Sequence, residues 1–95
     1  MKIVIANNFK DKLIGLMGKK NINYSLLIKN CKSIHTFFMK ENIDVIMCDK
    51  YDNVIYYYNN LKKNKIIFPK RKVYKIIELP VNYFDIKINT KIRID

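Results

Sequence analysis

Short segments rich in β-branched and aromatic residues recur along this chain, and most of them end at a turn containing Asn, Asp or Pro. Branched and aromatic side chains favour strands because they pack well on a pleated, half-buried surface. The turn chemistry of Asp49–Asn53 predicts that residues 43–58 form a β-hairpin. The sequence predicts strands at 2–6, 24–28, 33–39, 43–48, 54–58 and 73–79, with one or two short closing strands within 86–94.

One segment has helical spacing instead. Apolar side chains at Phe9, Leu13, Leu16 and Met17 recur at intervals typical of a helix, and Gly18 is suited to end one. We therefore expect a short helix over 9–17, and a helical turn over 81–85. The predicted fold is mostly β with a minor α part: a compact antiparallel β-sandwich or barrel with one short N-terminal helix. A chain of 95 residues fits a single domain, 1–95.

Composition argues against several classes of protein. Apolar residues make up 49% of the chain, too many for a disordered segment. No apolar run approaches the ~18 residues that cross a membrane, and the opening apolar stretch ends at Ala6, too early for a signal peptide. Two cysteines are too few for a disulfide scaffold or a structural zinc site, so free thiols are expected. These features predict a cytoplasmic location, and no cofactor is expected.

The formal net charge is +11. It comes from 17 Lys and 2 Arg, alongside many Ile and Asn residues, a pattern that codon use in an AT-rich genome also produces. Arg is the residue best suited to paired hydrogen bonds with phosphates and bases, and it is nearly absent. The remaining positive field predicts weak polyanion binding.

Three ionisable residues lie within predicted apolar strands: His35, which is the only histidine, Asp44 and Glu78. Burial of such groups is costly unless they are paired, so they either satisfy one another structurally or mark a site. Three strands can each offer one of these groups to a common pocket, and an apolar pocket with a few polar groups is typical of small-ligand sites. The predicted ligand-binding residues are His35, Thr36, Met39, Asp44 and Glu78.

Four motifs occur along the chain in this order: Gly15-Leu16-Met17 behind Lys12, Cys31-x-Ser33-Ile34-His35-Thr36-Phe37-x-Met39, Ile43-Asp44-Val45 and Glu78-Leu79-Pro80. Together they resemble an uncharacterised bacterial and archaeal family, domain of unknown function 192. The resemblance implies a β-rich domain with a small helix, and it implies no established activity. The chain departs from the family's pattern at Asn82, where Gly is usual, at Glu41-Asn42, where Phe-Pro is common, and at Asn89-Thr90, where Gly-Asp is typical. These departures affect turns, and Asn is the next best residue for left-handed backbone.

Other interpretations of the same residues stay open. In a structural one, Asp44 caps backbone amides, His35 bonds a carbonyl and Glu78 pairs with a lysine. A Cys31–His35 nucleophile would suit a hydrolase-like enzyme, but residues four apart on a strand lie ~13 Å apart. A metal site using His35 with a carboxylate has no spacing motif to support it. No metal ligand and no catalytic residue are therefore predicted.

A basic segment follows the hairpin and is preceded by Tyr56–Tyr58. Aromatic rings beside a cationic groove hold single-stranded nucleic acid in small β-barrels. Lysine clusters alone give only salt-sensitive, unspecific binding, so a solvated loop is the competing interpretation. The nucleic-acid-binding residues in this alternative are Lys62, Lys63, Lys65, Lys70, Arg71 and Lys72.

The leading hypothesis is a non-enzymatic β-domain that binds a small ligand or a protein partner around His35, Asp44 and Glu78. A module that binds single-stranded nucleic acid ranks second. A hydrolase-like enzyme on the same polar residues ranks third, because the sequence shows no clear nucleophile–base pair.

Overall fold

A computed structural model of the chain describes residues 2–6, 8, 11–12 and 15–82. Five of the described strands form one sheet in the order β1-β2-β7-β4-β5, and β3 and β6 form a second sheet. In the large sheet β1 runs parallel to β2, and the other neighbours are antiparallel. The strands are β1 (Lys2–Ile5), β2 (Tyr24–Lys29), β3 (Ile34–His35), β4 (Ile43–Cys48), β5 (Val54–Leu61), β6 (Ile66–Ile67) and β7 (Lys75–Leu79).

The large sheet is covered on both faces around β4, whose six residues are all buried. Side chains alternate between the faces along a strand, and directly opposed residues on neighbouring strands share a face. Leu26, Glu78 and Val45 are opposed across β2, β7 and β4, and we call the face that carries them the front face. Asp44 is opposed to Leu79, on the back face.

Each face has its own apolar core. The front core joins Ile28, Met47 and Ile76 of the large sheet to Ile34 and Ile67 of the small sheet, so the small sheet packs on the front face. Complete burial of such a side chain contributes roughly 1.5–3 kcal/mol, which makes the two cores the main source of stability. The back core contains Leu27, Ile46, Cys48, Val54, Ile77 and Leu79, with Tyr57 packed against it.

The connection between β1 and β2 runs over the front face. Parallel neighbours require the chain to return along the sheet before the second strand begins. Leu16 of this connection is buried in the front core, and Gly15 lies against Glu78 of β7.

The mostly β fold is confirmed, with two corrections. The hairpin of β4 and β5 forms as predicted, and β4 has the predicted bounds. The barrel alternative is wrong, because β1 and β5 are the open edges of the large sheet among the described residues. The parallel pairing of β1 with β2 also makes this sheet mixed rather than antiparallel throughout.

The predicted N-terminal helix is not seen in the described part of the chain. Residues 9, 10, 13 and 14 of the predicted segment lie outside the described residues, and Asp11 and Lys12 alone have helical backbone there. The closing strands expected within 86–94 also lie outside the described residues, as do residues 83–85 of the predicted helical turn. Among the described residues, no helix has the length and apolar character that a membrane crossing requires.

The strand predicted over 33–39 is reduced to Ile34–His35. Phe38 has φ of 62°, a left-handed conformation that no extended strand contains. The chain also turns after Thr36, whose backbone carbonyl accepts from the backbone N–H of Met39, three residues later, at 3.4 Å. Only two residues of this alternating segment therefore form a strand.

Candidate functional site

A cavity of about 560 Å³ opens at the front face, between the β1–β2 connection and the small sheet. We call it the Glu78 cavity. Its walls combine apolar and aromatic side chains with a few polar groups, which is the usual composition of a small-ligand site. It is lined by Lys12, Gly15, Asn30, Cys31, Ser33, Ile34, His35, Phe37, Ile66 and Glu78.

Glu78 is the buried carboxyl group of this cavity, and its side chain is only 3% exposed. The backbone N–H of Leu16 donates to its Oε1 at 3.3 Å. Burial removes water from the carboxylate and raises the pKa of Glu78 to about 7, and the hydrogen bond from Leu16 opposes that rise. The group is therefore poised to gain or lose a proton near neutral pH.

Gly15 allows the β1–β2 connection to approach Glu78 closely. Its φ is +54°, and a Cβ added there would lie 2.7 Å from Oε1 of Glu78. Both the backbone conformation and the contact favour glycine. The Gly15-Leu16 and Glu78-Leu79 motifs, 62 residues apart in the chain, thus meet at one contact.

Replacing Gly15 with alanine is expected to lower the free energy of unfolding by about 2 kcal/mol, from backbone strain together with displacement of the Glu78 carboxyl. Thermal melting followed by circular dichroism should show a drop of about 10 °C. Gly18→Ala is the matched control, because Gly18 has φ of +75° but no atom within 4 Å of an added Cβ. Equal losses in the two variants would contradict a role for the Glu78 contact.

His35 reaches the cavity from β3, while its neighbour Ile34 enters the front core. Nδ1 of His35 accepts from the backbone N–H of Phe37 at 3.2 Å, and the two rings stack with centroids 5.6 Å apart. The Nδ1 acceptor role places the proton of the neutral imidazole on Nε2. His35 and Glu78 therefore line one cavity.

Cys31 also lines the Glu78 cavity. Its thiol is half-buried and donates to the backbone carbonyl of Ser33 at 3.1 Å. Cys48 is fully buried in the back core, and burial raises the pKa of its thiol to about 12. Both cysteines are free, as the composition predicted.

Asp44 does not join His35 and Glu78, because it lies on the back face of the large sheet. It is completely buried and accepts hydrogen bonds from Tyr57 Oη (2.8 Å) and Asn59 Nδ2 (2.9 Å). It also accepts from the backbone N–H groups of Asn60 (2.7 Å) and Asn82 (2.9 Å). The expected convergence of all three ionisable groups is therefore wrong.

The contacts of Asp44 hold two irregular pieces of backbone. The register between β4 and β5 shifts opposite Asp44, and Asn60 at that point has φ of 56°. Asn82 has φ of 57°, so Asn replaces the family's usual Gly here without loss of the left-handed conformation. Asp44 thus fixes the β5 bulge and the loop after β7.

Thr36 and Met39 lie outside the Glu78 cavity as well. The Thr36 hydroxyl donates to the carbonyl of Lys62 (2.7 Å) and accepts from the backbone N–H of Lys65 (2.8 Å), which fastens the β5–β6 turn. Met39 is buried in the front core. Their contacts are those of residues that hold the fold.

The six basic residues of the nucleic-acid alternative lie on two loops: 62–65 between β5 and β6, and 70–72 before β7. The three tyrosines before them do not share an open surface. Tyr57 bonds Asp44, Tyr58 packs against the front core, and Tyr56 lies beneath the Lys70 ammonium at 5.6 Å.

Sequence reasoning missed most of the cavity wall. Gly15 and Lys12 stand out in the sequence only as parts of a motif, and no pattern distinguishes Ile66. The sequence carries one stronger signal, which is the presence of both the Gly-Leu-Met and the Glu-Leu-Pro motif. In the structure these two motifs form the contact between Gly15 and Glu78.

Comparison with known proteins gives the family. Residues 1–94 match the family DUF192, described as "Uncharacterized ACR". The chain is similar to the UPF0127 protein of Thermococcus kodakarensis, with 36% identity over 86 residues that cover 84% of this chain and 54% of that protein. The UPF0127 protein of Pyrococcus horikoshii is 38% identical over 85 residues, which cover 83% of this chain and 72% of that protein. The chain spans little more than half the length of the Thermococcus relatives.

Solved structures share the fold. The crystal structure of a protein of unknown function from Novosphingobium aromaticivorans superposes with a TM-score of 0.74 at 10% identity, covering 84% of this chain and 63% of that one. A crystal structure from Sinorhizobium meliloti superposes with a TM-score of 0.73 at 14% identity, covering 83% of this chain and 67% of that one. Identities this low speak to the fold alone. The match of residues 1–94, together with the archaeal relatives, shows that this chain belongs to the DUF192 family.

Proposed function

We propose that this protein is a cytoplasmic, non-enzymatic domain that binds a small ligand, or a side chain of a protein partner, in the Glu78 cavity. The observation that carries the proposal is a carboxyl group, 3% exposed, at the wall of a cavity whose other walls include Ile34, Phe37 and Ile66. A ligand that fits has an apolar body against these side chains and a hydrogen-bonding group that faces Glu78.

The polar groups of the cavity suit binding better than catalysis. A hydrolase needs a nucleophile within hydrogen-bond distance of its base. The Cys31 thiol instead donates to the Ser33 carbonyl, and the His35 Nδ1 accepts from the Phe37 amide. Glu78 is held by the Leu16 amide. Each group is oriented by nearby backbone, and such pre-organisation reduces the entropy cost of binding a ligand.

A fragment library screened by ¹H–¹⁵N NMR against the ¹⁵N-labelled protein tests this proposal. Ligands are expected to shift the amide signals of Gly15, Leu16, His35 and Glu78. Glu78→Gln is expected to weaken the binding of such a ligand about tenfold, because it removes a charge-assisted hydrogen bond.

Asp44→Asn is the matched control, since it makes the same chemical change to a buried carboxyl on the back face. Its ligand affinity is expected to stay within about twofold of the wild type, at a temperature where both are folded. Ligands that shift amide signals only outside the Glu78 cavity would contradict the proposal. So would ligands whose affinity is the same for the wild type, His35→Ala and Glu78→Gln.

The second candidate is single-stranded nucleic acid binding by Lys62, Lys63, Lys65, Lys70, Arg71 and Lys72. Its support is the exposure of five of these six side chains, with Lys70 half-buried. Tyrosine stacking does not add to it, because Tyr57 and Tyr58 are engaged within the fold. Charge alone predicts binding that falls steeply with salt.

A further inference from the structure

A second cavity, of about 490 Å³, lies where three loops meet beyond one end of β4 and β7. The loop after β2 contributes Lys32, the β4–β5 turn contributes residues 49–51, and the segment before β7 contributes residues 71–74. It shares no described lining residue with the Glu78 cavity, so its function can be tested separately. We call it the basic cavity.

The basic cavity has a strong excess of positive charge. Lys32, Lys50, Arg71 and Lys72 line it, against the single described carboxylate of Asp49. Both oxygens of Asp49 are used inside the turn, Oδ1 by the N–H groups of residues 51 and 53 and Oδ2 by the Asn53 amide. Asp52, in the same turn, is paired with Lys75. The carboxylates of the turn are thus engaged, while four cationic residues line the cavity.

Two of the loops are fastened together by Lys32. Its ammonium donates to the carbonyl of Arg71 at 3.0 Å, and its own carbonyl accepts from the backbone N–H of Lys70 at 3.2 Å. This reciprocal pair holds the Lys32 ammonium beside Arg71. The Lys32 ammonium is therefore positioned at the cavity wall by backbone contacts.

Aromatic rings form the other part of the wall. Tyr51 is 62% exposed and Tyr74 is 38% exposed, so both rings offer surface to a ligand in this cavity. The Lys50 ammonium lies 5.1 Å from the centre of the Tyr51 ring. Val73, 1% exposed, anchors the segment between Arg71 and Tyr74 in the front core.

We infer that the basic cavity binds a nucleotide, with the phosphate held by Lys32 and Arg71 and the base stacked on Tyr51 or Tyr74. Arg and Lys side chains are the usual phosphate ligands, and every base offers a face to an aromatic ring. The same chemistry is offered by a free mononucleotide and by one unit of single-stranded nucleic acid. Neither the four cations alone nor the two rings alone would select this ligand class.

Titration calorimetry at 50 mM salt with three probes tests the inference: ADP, a hexadeoxynucleotide and inorganic phosphate. Lys32→Gln/Arg71→Gln is expected to weaken binding of ADP or of the hexamer at least tenfold. Lys19→Gln/Lys20→Gln removes the same charge from exposed positions on the β1–β2 connection, outside the basic cavity, and is expected to change this binding less than threefold. Tyr51→Ala should weaken binding of the nucleotide ligands and leave binding of inorganic phosphate unchanged.

The inference is supported if the variants weaken binding of ADP or of the hexamer in this way. The ligand that binds more tightly shows whether the site takes a free mononucleotide or single-stranded nucleic acid. Three outcomes would overturn it. One is equal weakening by the two double variants, which would show that the net charge alone acts. The second is that inorganic phosphate binds as tightly as ADP and the hexamer do. The third is that the wild type binds neither ADP nor the hexamer.

Discussion

Asp44→Ala is expected to lower the free energy of unfolding by about 4 kcal/mol, a large part of the total for a domain of this size. The change removes the acceptor of four hydrogen bonds, two of them from the backbone N–H groups of Asn60 and Asn82. Buried donors left without a partner keep their full desolvation penalty. Urea denaturation at pH 7, followed by circular dichroism, measures the loss.

Tyr57→Phe is the control for this experiment, because it removes one of the four donors and leaves the carboxylate in place. It is expected to cost about 1 kcal/mol. A similar, small loss in both variants would show that Asp44 does not hold the β5 bulge and the loop after β7.

The wild type is expected to lose stability, relative to Glu78→Gln, as the pH rises from 4.5 to about 7. The carboxyl of Glu78 has a raised pKa in the folded protein, so the folded state holds its proton more tightly than the unfolded state does. Its stabilising contribution is complete below the unfolded pKa of 4.5 and is lost as the pH rises through about 7. A shift of this size corresponds to roughly 3 kcal/mol. Urea denaturation of both proteins at half-unit pH steps measures the difference.

Glu41→Gln makes the same chemical change outside the Glu78 cavity and serves as the control. Its stability should fall over the same pH range as that of the wild type, since Glu78 is intact. Parallel pH profiles for the wild type and Glu78→Gln would contradict the assignment of this titration to Glu78.

The strands were more predictable than the face on which each side chain lies. The alternating and β-branched segments located β2, β4 and β7, and the Asp49–Asn53 turn located the hairpin. Whether Asp44 and Glu78 meet depends instead on register. Asp44 is opposed to Leu79, and a shift of one residue would oppose it to Glu78 on a shared face. Register depends on packing between strands that are distant in sequence. The residue pattern within one strand does not determine it.

The site was predicted in part for a similar reason. His35 and Glu78 stand out as ionisable residues in apolar segments, and both do line the Glu78 cavity. The reversal of the chain at Phe38 is invisible to propensity, because phenylalanine rarely adopts left-handed backbone. That reversal takes Thr36 and Met39 away from the cavity. The basic cavity is lined by three loops, and no residue spacing along the chain predicts that these loops come together.

The parallel pairing of β1 with β2 has a consequence for the acidity of Glu78. Had β1 and β2 formed a hairpin, their connection would have stayed at the end of the sheet. The contacts of Gly15 and Leu16 with Glu78 would then have been absent, and more of its carboxyl would have faced water. The direction of β1 relative to β2 therefore contributes to the burial that raises the pKa of Glu78. In this fold, strand direction acts as a determinant of acid–base chemistry.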